Sequence, residues 1–184
     1  MALRLPRWIW AVLAAGAAFA AAPAHAQASE EAVKAAFLPK FVRYIAFPAG
    51  SQPPAGAPYY LCIIGRDPFG TLIDRAAATE TIDGHPIAVR RFANTDPQAV
   101  AGCNLAFVAG ANEAATAKMI ETLRRQPTLT ITDAHWGRAR GMIHFLVVEG
   151  RVRFQIDEAE ASARGISISS RLLALAVDVK QRTP

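Results

Sequence analysis

The stretch Tyr59-Tyr-Leu-Cys-Ile-Ile-Gly65 decides the fold class of this chain. It is a short and nearly continuous apolar run, the pattern of a strand that is buried on both faces of a parallel sheet. Asp67-Pro68 follows, an N-cap residue and then a proline suited to the first helical turn, and predicts a helix through about Ala78. The strand and helix together form the first half of a βαβ unit.

The same alternation continues on both sides of this stretch. Strands are predicted over residues 86–92, 103–108 and 128–132, and a helix capped by Asn112 over residues 113–125. Upstream, apolar spacing predicts a helix over residues 30–44 that begins after Ser29, with a kink or a break after Leu38 because Pro39 lacks a backbone donor. Downstream, residues 142–148 and 152–156 are two strands of a hairpin, and short helices are predicted over residues 157–164 and after Ser169 or Ser170.

This order of elements predicts one α/β domain. Its sheet is mostly parallel, with an antiparallel C-terminal hairpin at the edge and helices on both faces, as in an α/β sandwich. A flavodoxin-like strand order would make the strand at residues 59–65 the neighbour of the strand at residues 103–108.

The first 26 residues predict export. Arg4 and Arg7 form a basic start, residues 9–22 are an unbroken apolar run, and Ala24-His25-Ala26 supplies the small residues of a cleavage site before Gln27. The run is shorter than the roughly 20 residues that cross a membrane core. An uncleaved anchor is the alternative, but we expect a cleaved signal peptide and a single mature domain over residues 27–184 in the periplasm.

The chain has two cysteines, Cys62 and Cys103, and export places them in an oxidising compartment. A single pair with no third cysteine predicts a structural disulfide. Closing such a loop would stabilise the fold by roughly 4 kcal/mol. A metal site or two buried thiols are the alternatives, but no histidine lies at ligand spacing from either cysteine.

The sequence offers no convincing catalytic constellation and no cofactor or metal motif, although a hydrolase with a degenerate motif stays an alternative. The net charge of +5 falls to about +3 without Arg4 and Arg7, too diffuse for a nucleic-acid binder. The stretch from Gly65 to Gly70 lacks the glycines of a phosphate loop and is interpreted as helix capping.

A few polar side chains still invite a functional interpretation. His144 alternates with apolar neighbours, which predicts an exposed or edge position, whereas His135 could line a ligand pocket beside Trp136 or simply pack on the domain. Arg151 and Arg153 share one face of a strand and form a positive stripe if no helix covers that face.

Motifs spread over nearly the whole mature chain carry a resemblance to a known family. They are Lys34-Ala-Ala-Phe-Leu-Pro-Lys-Phe-Val-Arg-Tyr44, Leu61-Cys-Ile-Ile-Gly-Arg-Asp-Pro-Phe-Gly70, Gly84-His-Pro-Ile-Ala-Val-Arg-Arg91, Cys103-Asn-Leu-Ala-Phe-Val108, Val152-Arg-Phe-Gln-Ile-Asp157 and Ile168-Ser-Ser-Arg-Leu-Leu-Ala-Leu-Ala176. In this order they resemble the YfiR/HmsC-like periplasmic proteins. The resemblance implies an α/β fold without enzymatic activity, a homodimer, and a disulfide between Cys62 and Cys103. A second cysteine pair, found in some members near residues 141–151, is absent here.

The resemblance also implies a function. The protein would bind the periplasmic sensor part of an inner-membrane diguanylate cyclase and hold it inactive, which would lower cyclic di-GMP, exopolysaccharide output and biofilm formation. We place the docking surface at an apolar patch bordered by basic residues: Phe37, Lys40 and Tyr44 with Trp136 and Arg138. The alternative function is an exported receptor for a small ligand, bound at the strand ends near Arg66, Asp133 and Trp136.

Overall fold

The computed structural model describes residues 29–181, so the predicted signal peptide lies outside the described residues. Within residues 29–181, no helix is long and apolar enough to cross a membrane. The elements, in chain order, are α1 Glu30–Phe37, β1 Ile45–Ala46, β2 Tyr59–Gly65, α2 Thr71–Ala78, β3 Thr81–Ile82, β4 His85–Phe92, β5 Leu105–Ala109, α3 Glu113–Leu123, β6 Leu129–Asp133, β7 Ile143–Val148, β8 Arg151–Asp157, α4 Glu158–Ala163, β9 Ser167–Ile168, α5 Ser170–Leu173 and β10 Asp178–Lys180.

One large mixed sheet organises the domain, with the strand order β10-β8-β7-β6-β5-β2-β4-β3. Five neighbouring strands of this sheet are parallel to one another: β4, β2, β5, β6 and β7. Strand β8 then returns antiparallel to β7, as the predicted hairpin. The α/β prediction with a mostly parallel sheet is therefore confirmed, and β2 is the neighbour of β5. The short strand β10 adds to the sheet beyond the hairpin, parallel to β8, while β1 and β9 form a separate antiparallel pair.

Strand β2 supplies side chains to two cores because its faces alternate. Leu61 and Ile63 belong to the larger core, which also contains side chains of α1, α2, α4 and α5. Cys62 and Ile64 belong to the smaller core, beside Ile120 of α3. Helices thus cover both faces, as the continuous apolar run of β2 predicts.

The predicted disulfide joins Cys62 of β2 to Cys103, just before β5, and both sulfurs belong to the smaller core. At the other end of the same strand pair, Gly65 has a positive φ of 86°, and a Cβ added there would lie 2.2 Å from the carbonyl oxygen of Ala109. Glycine is therefore required at this position, where the end of β2 passes next to the backbone of Ala109.

The first predicted helix is broken as Pro39 suggests. Helix α1 ends at Phe37 with Leu38 as its C-cap, and a 3₁₀ helix continues over Pro39–Tyr44. Ser29 accepts a hydrogen bond from the backbone N–H of Ala32, as expected for an N-cap.

The second predicted helix begins later than the sequence suggests. Helix α2 starts at Thr71 with Gly70 as its N-cap, so the prediction that Asp67 caps it is wrong. The carboxylate of Asp67 instead accepts hydrogen bonds from the backbone N–H groups of Phe69 and Gly70 and pairs with Arg91. An aspartate side chain readily accepts hydrogen bonds from backbone N–H groups two or three residues later, so it can stabilise a turn as well as a helix start.

The exposed position expected for His144 is also wrong, because this residue is only 4% exposed. Its Nδ1 lies 2.9 Å from the hydroxyl of Thr132, which accepts a hydrogen bond from the backbone N–H of Gly141. Burial lowers the pKa of His144, the positive charge of Arg140 lowers it further, and Asp133 acts in the opposite direction.

This pKa shift predicts a pH-dependent stability. The folded protein binds a proton on His144 less readily than the unfolded chain, whose histidines titrate near pH 6.5. The free energy of unfolding should therefore be highest above about pH 6.5 and fall as the pH drops toward the folded-state pKa, by at most about 1.4 kcal/mol per pH unit. Urea unfolding of the wild type and of His144→Gln between pH 7.5 and pH 5 measures this, and equal slopes would contradict the assignment.

Candidate docking surface and strand-end cleft

The β7–β8 hairpin turns through two residues, Glu149 and Gly150, with Val148 paired to Arg151 at its closing position. Both turn residues have positive φ, 51° and 69°, as in the type I′ turn that suits the twist of a hairpin. Gly150 adopts this conformation without strain because it has no Cβ, whereas in Glu149 the Cβ makes a positive φ less favourable.

Exposed apolar side chains gather beside this hairpin. Among the described residues, the four large ones are Val147, Val148, Leu175 and Val177, between 39% and 60% exposed. Val147 and Val148 end β7, and the backbone N–H of Val177 donates to the carbonyl of Phe154 in β8 at 3.0 Å. All four therefore lie near β8, at one side of the molecule.

A groove of about 630 Å³ lies between α1 and the hairpin. We call it the hairpin groove; it is lined by Val33, Phe37, Val147, Arg151, Val152 and Arg153, among others. Phe37 anchors its wall, with its ring 6.3 Å from that of Phe154 in an edge-to-face contact. The side chain is half-buried, so it can both pack on the domain and contact an occupant.

Two arginines border this groove, and they are the residues of the predicted positive stripe. Arg151 and Arg153 are exposed, and they lie opposite Val148 and Leu146 in the β7–β8 register. The stripe therefore faces solvent and shares its face of the hairpin with Val148, whereas Val147 lies beside Val152 on the other face. An apolar centre with a charged rim is the usual organisation of a protein-binding surface.

The structure separates the residues that the sequence assigned to one docking patch. Phe37 lines the hairpin groove, whereas Trp136 lines a different cleft at the ends of the strands. Lys40 is exposed and Tyr44 half-buried on the 3₁₀ helix, and neither lines these two sites. Arg138 is exposed near Glu113.

The second site is a strand-end cleft of about 330 Å³, where β2 and β6 end. Its lining includes Arg66, Asp133, His135 and Trp136, three of which the sequence assigned to a ligand receptor. The guanidinium of Arg66 lies 5.0 Å from the ring centroid of Trp136 and donates to the carbonyl of Ala111 at 2.9 Å. Open α/β sheets bind ligands in this kind of crevice at the carboxyl ends of their strands.

A buried ion pair that sequence reasoning missed joins the two sites. The ammonium of Lys34 in α1 donates to the carboxylates of Asp133 and Glu30, and the side chains of Lys34 and Asp133 are each 4% exposed. The second oxygen of Asp133 accepts the backbone N–H of His135 at 2.9 Å. The available signal was a lysine four residues after a glutamate, on a helix whose neighbours are apolar.

Both sites share one wall, because Glu30 lines the hairpin groove as well as the strand-end cleft. Over residues 29–181, no group of three or more histidine, cysteine or acidic side chains is arranged to hold a metal ion. The charged pair of Lys34 and Asp133 holds α1 between the two sites.

The family model described as YfiR/HmsC-like matches residues 31–177. The chain belongs to the YfiR/HmsC-like family. This family consists of periplasmic regulators rather than enzymes and suggests a regulator of a diguanylate cyclase. The match to the YfiR/HmsC-like family spans α1 through the residues before β10, so it includes the hairpin groove and the strand-end cleft. No curated protein matches the chain.

The buried ion pair leads to a prediction about stability. Asp133→Asn should lower the free energy of unfolding by about 3 kcal/mol, because it leaves the buried ammonium of Lys34 with one half-exposed carboxylate. Glu30→Gln removes only that half-exposed partner and should cost less than about 1 kcal/mol. Urea unfolding of both variants measures the difference.

The double variant Lys34→Met/Asp133→Leu is the control for this prediction. It removes both charges and should recover most of the stability that Asp133→Asn loses. A double variant less stable than Asp133→Asn would mean that packing, and not the uncompensated charge, accounts for the loss.

Proposed function

We propose that this protein is a periplasmic repressor that binds the periplasmic portion of an inner-membrane diguanylate cyclase. The observation that carries this proposal is the hairpin groove, an apolar surface bordered by Arg151 and Arg153. Family membership supports the same class of partner. By holding the cyclase inactive, the protein lowers cyclic di-GMP and, with it, exopolysaccharide output and biofilm formation.

The chemistry of the groove describes the segment that fits it. Val147, 47% exposed, presents apolar surface to the groove, and removing that surface from water is favourable by about 25 cal/mol per Å². The two arginines attract carboxylates at the edge of that surface and speed encounter more than they add affinity. The partner segment is therefore apolar in its centre and acidic at its border.

Repression requires more than binding. A repressor shifts the cyclase only if it binds the inactive form more tightly than the active one, and equal affinity for both shifts nothing. A tenfold preference corresponds to about 1.4 kcal/mol. One or two contacts present in only one form of the cyclase supply that difference.

The groove is tested by reversing its charge and its polarity. Val147→Asp and the double variant Arg151→Glu/Arg153→Glu should each reduce recovery of the cyclase from host membranes by at least about tenfold. Cellular cyclic di-GMP should rise, since the cyclase is no longer held inactive. Pull-down with mass spectrometry and a cyclic di-GMP assay measure the two effects.

The matched control is Arg75→Glu/Lys118→Glu, which makes the same charge change at exposed positions on α2 and α3. It should leave cyclase binding and repression unchanged. If the control and the groove variants lose binding equally, net charge and not the groove is responsible. If neither loses binding, the docking surface lies elsewhere, and Lys40, Tyr44, Trp136 and Arg138 are the next positions to change.

A second function, binding of a small ligand, is favoured by the strand-end cleft. It is concave, lies at the carboxyl ends of parallel strands, and combines an aromatic ring with charged groups. Such a ligand is a natural signal for releasing the cyclase, because Glu30 lines both the cleft and the hairpin groove.

Trp136 reports on this cleft directly. The other two tryptophans, Trp8 and Trp10, belong to the predicted signal peptide, so Trp136 is the only tryptophan of the mature chain. A ligand from periplasmic metabolite fractions should change its fluorescence, and Arg66→Ala should weaken that ligand's binding about tenfold by removing one charged contact. Fractions that change the fluorescence of the wild type and of Arg66→Ala equally would place the ligand outside the cleft.

A further inference from the structure

Among residues 29–181, strand β10 is the outermost strand on its side of the sheet and pairs only with β8. Asp178 and Lys180 are exposed, and so are Leu175 and Val177 just before the strand. An edge strand of this kind presents unpaired backbone groups that can pair with a further strand.

The direction of these backbone groups follows from the pairing with β8. The N–H of Val177 donates to the carbonyl of Phe154. In the β7–β8 hairpin the N–H of Asp157 donates to the carbonyl of Met142, so Asp157 faces β7 and Ile156 directs both backbone groups toward β10. Ile156 is opposite Val179 in the parallel register, so its C=O and N–H bond to the two neighbours of Val179, Lys180 and Asp178. The N–H and C=O of Val179 therefore face outward.

A two-fold axis allows three antiparallel registers between two copies of this edge. Val179 can exchange hydrogen bonds with Val179 of the other copy, which places Asp178 opposite Lys180. It can instead pair with residue 177 or residue 181 of the other copy, which places Asp178 opposite Asp178 or Lys180 opposite Lys180. Like charges directly opposite each other are destabilising, and opposite charges are stabilising. Only the register centred on Val179 pairs opposite charges, and it does so twice.

We propose that two copies of this chain join antiparallel through β10, in the register that pairs Asp178 of each copy with Lys180 of the other. The occupant of this edge is a second copy because the edge is complementary to itself, as a two-fold interface requires. In that register Lys180, which donates to Asp157 of β8 at 3.0 Å, lies between two carboxylates. This contact gives the predicted homodimer a defined interface, separate from the hairpin groove, and it does not depend on the proposed function.

Charge exchange tests the register. Asp178→Lys and Lys180→Asp, each alone, place like charges opposite each other at both pairs and should weaken dimerisation at least tenfold. The exchanged variant Asp178→Lys/Lys180→Asp restores both pairs across the interface and should dimerise more tightly than either single variant, although it loses the contact of Lys180 with Asp157. Sedimentation equilibrium of the exported protein, purified from the periplasm, measures each dissociation constant.

Mixing the two single variants provides a sharper readout. Each of them should dimerise weakly alone, but together they should form a tighter heterodimer, because every charge then faces an opposite charge. This arm also distinguishes a lost interface from a misfolded variant, since a misfolded chain does not regain a partner. Circular dichroism of each variant verifies the fold.

Three results would overturn the proposal. One is a wild-type protein that stays monomeric at its highest soluble concentration. Another is a dimer whose dissociation constant is the same in the wild type and in both single variants, which would locate the interface elsewhere. The third is a mixture of folded single variants that remains monomeric, which would exclude the register centred on Val179.

Discussion

The buried ion pair between Lys34 and Asp133 is the contact on which the candidate sites depend. It joins α1, the first described helix, to the end of β6, a strand in the middle of the sheet. Because two charges out of water are stable only while they are paired, the helix has one favourable position along the strand ends. That position forms one wall of the hairpin groove and one wall of the strand-end cleft.

The sheet beneath this helix is held at the junction of β2 and β5. Gly65 allows the two backbones to approach at one end of the pair, and the Cys62–Cys103 disulfide joins the other end. Between them, the apolar residues of β2 fill two cores at once. The centre of the domain is therefore cross-linked and packed on both faces, and the candidate binding surfaces lie at its periphery, on the hairpin, the strand ends and the edge strand.

These peripheral surfaces suit a regulator because each one binds by a different kind of chemistry. The hairpin groove combines exposed valines with arginine, the strand-end cleft combines Trp136 with mixed charges, and β10 offers backbone groups and a self-complementary charge pair. Binding at one of them need not block another. A shared wall at Glu30 gives the cleft a physical route to the groove, since any ligand that moves α1 changes both.

The sequence by itself determined the local features of this protein: the buried strand at Tyr59–Gly65, the break at Pro39, the hairpin turn at Glu149 and Gly150, and the family motifs. Each depends on neighbouring residues alone. Tertiary structure decided the burial of His144 and the separation of Phe37 from Trp136. It also decided the pairing of Lys34 with Asp133, residues 99 positions apart. Such long-range contacts follow from how helices pack on the sheet, and local periodicity carries no information about that packing.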